Sequence, residues 1–145
     1  MTAQERIGLE IKRLSPAEWV LAYPVVAQLR TLDEPEFLDR VRRQSFTGYE
    51  LIAACEGGRI IGVIGMRPVH TLARGPHLHI DDLVVAASAR RSGAGRALMD
   101  FAEAEARARG MNAIFLDARP DAVSFYESQH YVLHPAPSMK KTLVP

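Results

Sequence analysis

Apolar and polar positions alternate, then stride, then alternate again along the chain. In Gly8–Leu14, Leu9, Ile11 and Arg13 alternate with Glu10 and Lys12, which predicts a short first strand. Ser15-Pro16-Ala17-Glu18 offers a capping box with proline at the first helical position, so a helix is expected from Trp19 to about Arg30, broken or kinked at Pro24. A second short helix is expected where Asp33-Glu34-Pro35-Glu36 leads into Phe37, Leu38 and Val41. Tyr49–Cys55 and Arg59–Met66 are apolar runs separated by Glu56-Gly57-Gly58, the pattern of a hairpin. A loop through Pro68 and Arg74-Gly75-Pro76 should follow.

His77–Val85 reads as a fourth strand whose parity changes part-way. Leu78 and Ile80 share one face by period two, but the apolar set then moves to Leu83 and Val85. One extra residue near Asp81-Asp82, a β-bulge, accounts for the shift. From Gly93 to Arg109 the positions Ala94, Ala97, Leu98, Phe101, Ala104 and Ala108 fall at helical spacing, Arg96/Asp100 and Glu103/Arg107 pair opposite charges, and Gly110 stops the helix. Ala113–Asp117 is expected as a fifth strand, Asp121 as the cap of a helix through Gln129, and Tyr131–Leu133 and Lys140–Val144 as closing strands joined by the stiff His134-Pro135-Ala136-Pro137-Ser138.

Composition narrows what such a chain can be. Its 145 residues and 48% hydrophobic content suit one domain, 1–145, with one core. A net charge of +1 gives no global field for nucleic acid, so the arginines must be read by position. Cys55 is the lone cysteine, which fits a small core residue, and Met1–Arg6 is followed by no long apolar run, so a soluble cytoplasmic protein without a membrane span is expected. The five histidines show no metal-ligand spacing, and no metal is expected.

The chemistry concentrates after the fourth strand. Arg90-Arg91-Ser92-Gly93-Ala94-Gly95-Arg96 is a basic, glycine-containing turn between a strand and a helix, where backbone N–H groups and the helix dipole converge on a point suited to phosphate. Arg90-x-x-Gly93-x-Gly95, separated from Val85 by four residues, resembles the acyl-CoA signature of the GNAT superfamily of N-acetyltransferases. Ala122-Val123-Ser124-Phe125-Tyr126-Glu127 followed by Tyr131 resembles that family's Ala-x-x-Phe-Tyr helix and the aromatic strand after it. The order of elements agrees over nearly the whole chain. Two positions depart from the pattern: Asp121 stands where the family often has asparagine, and His130 where it often has glycine.

The resemblance implies an α+β fold: a mostly antiparallel, twisted mixed sheet of about six to seven strands, helices on both faces, splayed between strands four and five. It implies acetyl-CoA as co-substrate, with the pantetheine along Leu83, Val84 and Val85, the pyrophosphate on the turn Arg90, Arg91, Ser92, Gly93, Ala94, Gly95 and Arg96, and a further contact at Asp121. The family assigns the tyrosine at Tyr126 to the coenzyme sulfur as general acid. The acceptor would be a primary amine of a small molecule or peptide, attacking the thioester directly.

A base is needed because an alkylamine has a pKa of about 10.4. His79 and Asp81, on one strand face where family members often place a glutamate, are the two candidates. An imidazole, at about 6.5, is matched to neutral pH, whereas a carboxylate, at about 3.9, suits a water relay or attraction of a cation. Asp81, Asp82 and Asp117 suggest a mildly acidic acceptor end and hence a cationic amine. A non-catalytic acyl-CoA-binding or sensing module is the second reading, and either form is compatible with a homodimer.

Overall fold

The computed structural model describes residues 8–144; Met1–Arg6 and the ends of the expected 1–145 span lie outside the described residues. Five strands form one sheet in the order β1 (Glu10–Arg13), β2 (Glu50–Glu56), β3 (Arg59–Thr71), β4 (Gly75–Val85) and β5 (Ile114–Leu116). The first four are antiparallel neighbours and β5 runs parallel to β4. Helices α1 (Tyr23–Val26) and α2 (Glu34–Ser45) cover one face, with Val25, Val26, Phe37 and Val41 buried against Leu51, Ala53 and Val63. Helices α3 (Ala94–Ala108) and α4 (Val123–Glu127) cover the other, where Leu98, Met99 and Ala102 meet Ile52, Ile64, Met66 and Leu78. The α+β class, the mixed sheet and helices on both faces are as expected.

Local chemistry explains most element boundaries. Pro16–Ala22 is a 3-10 helix that becomes α1 where Pro24 enters its first turn, so the expected long helix divides at the proline. The Ser15 N–H and hydroxyl both donate to the Glu18 carboxylate, at 3.0 and 2.9 Å, and Asp33 caps α2 by accepting from the Glu36 N–H at 2.9 Å. Gly57 and Gly58 both have positive φ, +58° and +78°, which a two-residue hairpin turn requires.

Four expectations need correction. First, β3 does not end at Met66 but runs on through Pro68. The Leu78 N–H, opposite Pro68, donates away from β3 to the Ala113 carbonyl, so the ladder asks no donor of the proline, and β2 no longer flanks β3 beyond Met66. Second, the buried stripe of α3 runs through Ala94, Ala97, Leu98, Met99, Ala102 and Ala106, leaving Ala104 and Ala108 exposed. Alanine is too small to fix a helix face; Leu98 and Met99 fix it. Glu103 and Arg107 do pair, at 3.8 Å, while Arg96 and Asp100 form no ion pair among the described residues.

Third, Asp121 does not cap a helix. The chain starts turning at Pro120, as a 3-10 helix over Pro120–Ala122, so Asp121 lies inside the first turn and its carboxylate faces Arg119 at 3.4 Å in solvent. Fourth, the sheet has five strands, not six to seven. Tyr131–Leu133 and Lys140–Val144 form no strand. Pro135 and Pro137 remove two backbone donors from the connection between them, and Val132, Leu133, Met139 and Leu143 are exposed. Tyr131 is packed against the core with its hydroxyl 3.3 Å from Glu103 Oε2, and His134 lies edge-on to the Phe115 ring at 5.2 Å.

Candidate active site

The β4 bulge falls at Asp81. Gly65 pairs with Asp82 and Met66 with Ile80, which leaves Asp81 as the extra residue and reverses the strand's parity beyond it. β5 accompanies β4 only through Leu78, His79 and Ile80, so the two strands part where the bulge begins. Ala86 donates its N–H to Ile61 on β3; by alternation Val85 and Leu83 direct their backbone groups the other way, toward the gap β5 has left. Val84 is the exception to its expected place: its backbone groups face β3 and its side chain is buried in the opposite core.

The turn beyond β4 is held by its own atoms. Ser92 donates its N–H to the Ala89 carbonyl and accepts the Ala94 N–H on its hydroxyl, at 3.2 Å in each case. Ala94 itself is a core residue, so neither its side chain nor its N–H faces outward as the motif reading expected. The N–H groups of Arg91, Gly93, Gly95 and Arg96 keep no protein partner among the described residues. Gly93 precedes the helix in the left-handed region at φ 88°, and Arg91 shares that region at φ 67°. Gly95 has a second role, since a Cβ there would stand 3.3 Å from the Phe125 ring and 3.5 Å from Val85 Cγ2. Its smallness lets α3 close against β4 and against Phe125 of α4. Arg90, Arg91 and Arg96 are exposed, as is Asp121.

A cleft of about 320 Å³ opens at the splay, lined by Arg30, His79, Asp81, Asp82, Leu83, Asp117, Arg119 and Tyr126, among others. Phe125 packs against Gly95, and the next position, Tyr126, reaches the cleft. Burial raises the Tyr126 pKa above its ordinary value of 10.0, holding the phenol protonated. His79 is shifted downward from 6.5, first by burial, with Asp81 opposing and Arg67 assisting, so the neutral imidazole is favoured. Its Nε2 lies 3.7 Å from Asp81 Oδ1.

The aspartates are not the open acidic patch their sequence suggests. Asp81 accepts from Arg67 Nε at 2.8 Å, and Asp82 accepts from Arg30 Nε at 3.0 Å and from the Tyr49 hydroxyl at 2.6 Å. Tyr49 reaches Asp82 across Gly65, where any Cβ would fall 1.9 Å from the hydroxyl. Burial, then the Asp82 charge, pushes the Tyr49 pKa well up, so it stays a donor. Arg30, Arg67 and Tyr49 have no local signature; they arrive from 52, 14 and 33 residues away.

The profile of the acetyltransferase (GNAT) family matches residues 15–131, from the start of the first helical segment to the aromatic residue after α4. The chain belongs to this family. An uncharacterized N-acetyltransferase of Bacillus subtilis strain 168, YhdJ, is 36% identical over 127 residues, covering 81% of this chain and 87% of its own. Among solved structures, an acetyltransferase of Trypanosoma brucei superposes with a TM-score of 0.79 at 25% identity, covering 93% of this GNAT chain and 99% of the other. An aminoglycoside acetyltransferase from an uncultured soil metagenomic sample, solved with sisomicin, gives 0.77 at 17% identity over 97% and 99% of the two chains, a likeness of fold.

Proposed function

We propose that this GNAT domain transfers an acetyl group from acetyl-CoA to a primary amine of a small molecule or peptide by direct attack. The observation that carries the reading is the parting of β4 and β5 at the Asp81 bulge, which leaves strand-edge donors facing a gap beside a half-buried, protonated tyrosine.

The four unpartnered N–H groups of the turn, with Arg90, Arg91 and Arg96 around them, suit a pyrophosphate at the start of α3. The outward edge of Leu83 and Val85 offers the pantetheine the hydrogen bonds of an added strand. In this arrangement the neutral amine attacks the thioester carbonyl, and the Val85 N–H donates to the oxyanion that forms. Collapse breaks the C–S bond, and the departing thiolate takes the phenolic proton of Tyr126. The proton lost by the amine passes to neutral His79, with Asp81 beside it, directly or through water. In this reading Val84 and Ala94 serve mainly the fold, with their side chains in the core, and Asp121 remains an exposed candidate contact beside Arg119.

The test is detection of free CoA thiol over a panel of amines, with Gly93→Trp as the blocked variant. Turnover is expected with the native chain and loss of it with Gly93→Trp; normal turnover by that variant would displace the pyrophosphate from the turn. Tight acetyl-CoA binding by calorimetry with no acceptor consumed would instead favour the sensing module.

A further inference from the structure

The cleft beside Tyr126 is balanced rather than acidic. Of its aspartates, Asp81 is matched by Arg67 and Asp82 by Arg30 and Tyr49, whereas Asp117 forms no ion pair among the described residues. What remains open differs from what a count of side chains gives.

Arg30 is fixed without being used up. Its Nε donates to Asp82 Oδ1 at 3.0 Å, and one terminal nitrogen donates to the Asp81 carbonyl at 2.9 Å while lying 3.0 Å from the same Asp82 oxygen. A guanidinium has five donors, and the two on its other terminal nitrogen have no partner among the described residues. The side chain is 45% exposed and lines the cleft. Held at one edge by the bulge, the group is pre-organised to receive an anion at the other, because the rotamer freedom a surface arginine would lose is already gone. The lining therefore combines the anchored cation of Arg30, an open carboxylate at Asp117, the His79 and Tyr126 side chains, and an exposed Arg119 that faces Asp121 at 3.4 Å.

Resting on the acetyltransferase reading above, we propose that the acceptor is a zwitterionic amine, a primary amine whose molecule also bears a carboxylate, with Arg30 taking the carboxylate. The cleft of about 320 Å³ shares His79, Leu116, Asp117 and Tyr126 with a neighbouring cavity of about 1000 Å³, so it is the anchored charge of Arg30, and not the volume, that selects the acceptor. A cationic polyamine would place a like charge against Arg30. A phosphate offers Arg30 the same chemistry as a carboxylate, and the assay separates the two.

The experiment is thiol release by the full chain on matched pairs: serine against ethanolamine, lysine against cadaverine, and phosphoethanolamine as the phosphate arm. The carboxylated member is expected to exceed its decarboxylated partner at least about tenfold in kcat/KM, most of it in KM. Arg30→Met should lower the carboxylated member more than its partner, so that the ratio falls to within about twofold, and Arg30→Lys should restore part of it. The native ratio needs no variant, so it decides the matter even where Arg30→Met disturbs the bulge. Preference for phosphoethanolamine over both members keeps the anion at Arg30 and overturns the carboxylate. Equal or better turnover of the decarboxylated amines overturns the inference and leaves the acetyltransferase standing. Turnover of neither member of any pair, with acetyl-CoA bound, overturns both.

Discussion

A phenol that serves as an acid must still hold its proton when the thiolate leaves. Burial alone raises the Tyr126 pKa, so the hydroxyl is protonated throughout the neutral range. Tyr126→Phe should therefore lower kcat by about 10²-fold or more and leave the KM for acetyl-CoA near its native value; an unchanged kcat would remove Tyr126 from the chemistry. His79 is tuned in the other direction. Burial depresses its pKa below 6.5, so the imidazole is neutral at pH 7 and the acid limb of kcat/KM should have its midpoint below 6.5. Stability follows the same sign. As pH falls through 6.5 the unfolded chain takes up the proton first, so stability is lost from there down to the lower folded pKa, and His79→Gln should flatten that decline in urea titrations. A limb above 6.5 would sink the assignment. The types of these two residues and their elements were legible in the sequence. The partners of Asp81 and Asp82 were not, because Arg67, Arg30 and Tyr49 converge only when β3, β4 and the α1–α2 connection are packed, and no spacing encodes that.

At the scale of elements, the bulge could be read because a one-residue insertion inverts every later side chain, and the apolar set Leu78, Ile80, Leu83, Val85 records that inversion. What holds the bulge was invisible. Tyr49, buried and donating across Gly65 at 2.6 Å, fastens the first residue after the insertion to the start of β2. Removing that hydroxyl leaves an ionised, half-buried carboxylate with Arg30 alone. Tyr49→Phe should then cost about 1.5–3 kcal/mol in urea unfolding, the range for a hydrogen bond to a charged group. A loss below about 0.5 kcal/mol would mean that water replaces the phenol. The closing strands failed for a related reason. Tyr131–Leu133 and Lys140–Val144 carry strand-type residues, but propensity is realised only against a neighbouring strand, and the two prolines between them leave the segment without its own. His130 shows where a family pattern held more than the residue type: it adopts φ 70°, the conformation for which the glycine common at that position is suited.

For the whole molecule, a sheet opened at one side must be secured at the other. β5 is joined to β4 by three register pairs, whereas at the opposite edge Arg13 of β1, Glu50 of β2 and Glu105 and Arg109 near the end of α3 form a closed ring of charges. Arg13 lies 3.0 Å from both glutamates, and Arg109 lies 2.7 Å from Glu50 and 3.1 Å from Glu105. Arg13 also lies over the Phe101 ring, at 5.5 Å. The ring ties α3, the long helix that begins at the glycine turn after β4, to the edge of the sheet farthest from the cleft. Burial alone would raise the Glu105 pKa, but Arg13 and Arg109 outweigh it and hold it below 4.5. A carboxylate depressed on folding adds stability above its unfolded pKa and loses it as pH falls through the folded one. Glu105→Gln should therefore cost about 1 kcal/mol at pH 7, given how much of the ring is open to solvent. That difference should shrink steadily below pH 4.5, and at pH 7 it should narrow as salt is added, since water reaches all four groups. Urea unfolding of both chains across that pH range and at two ionic strengths reads each effect. A gap that stays constant from pH 7 into the acid range would show that Glu105 acts through packing, and that α3 is fixed to the sheet by its apolar face alone.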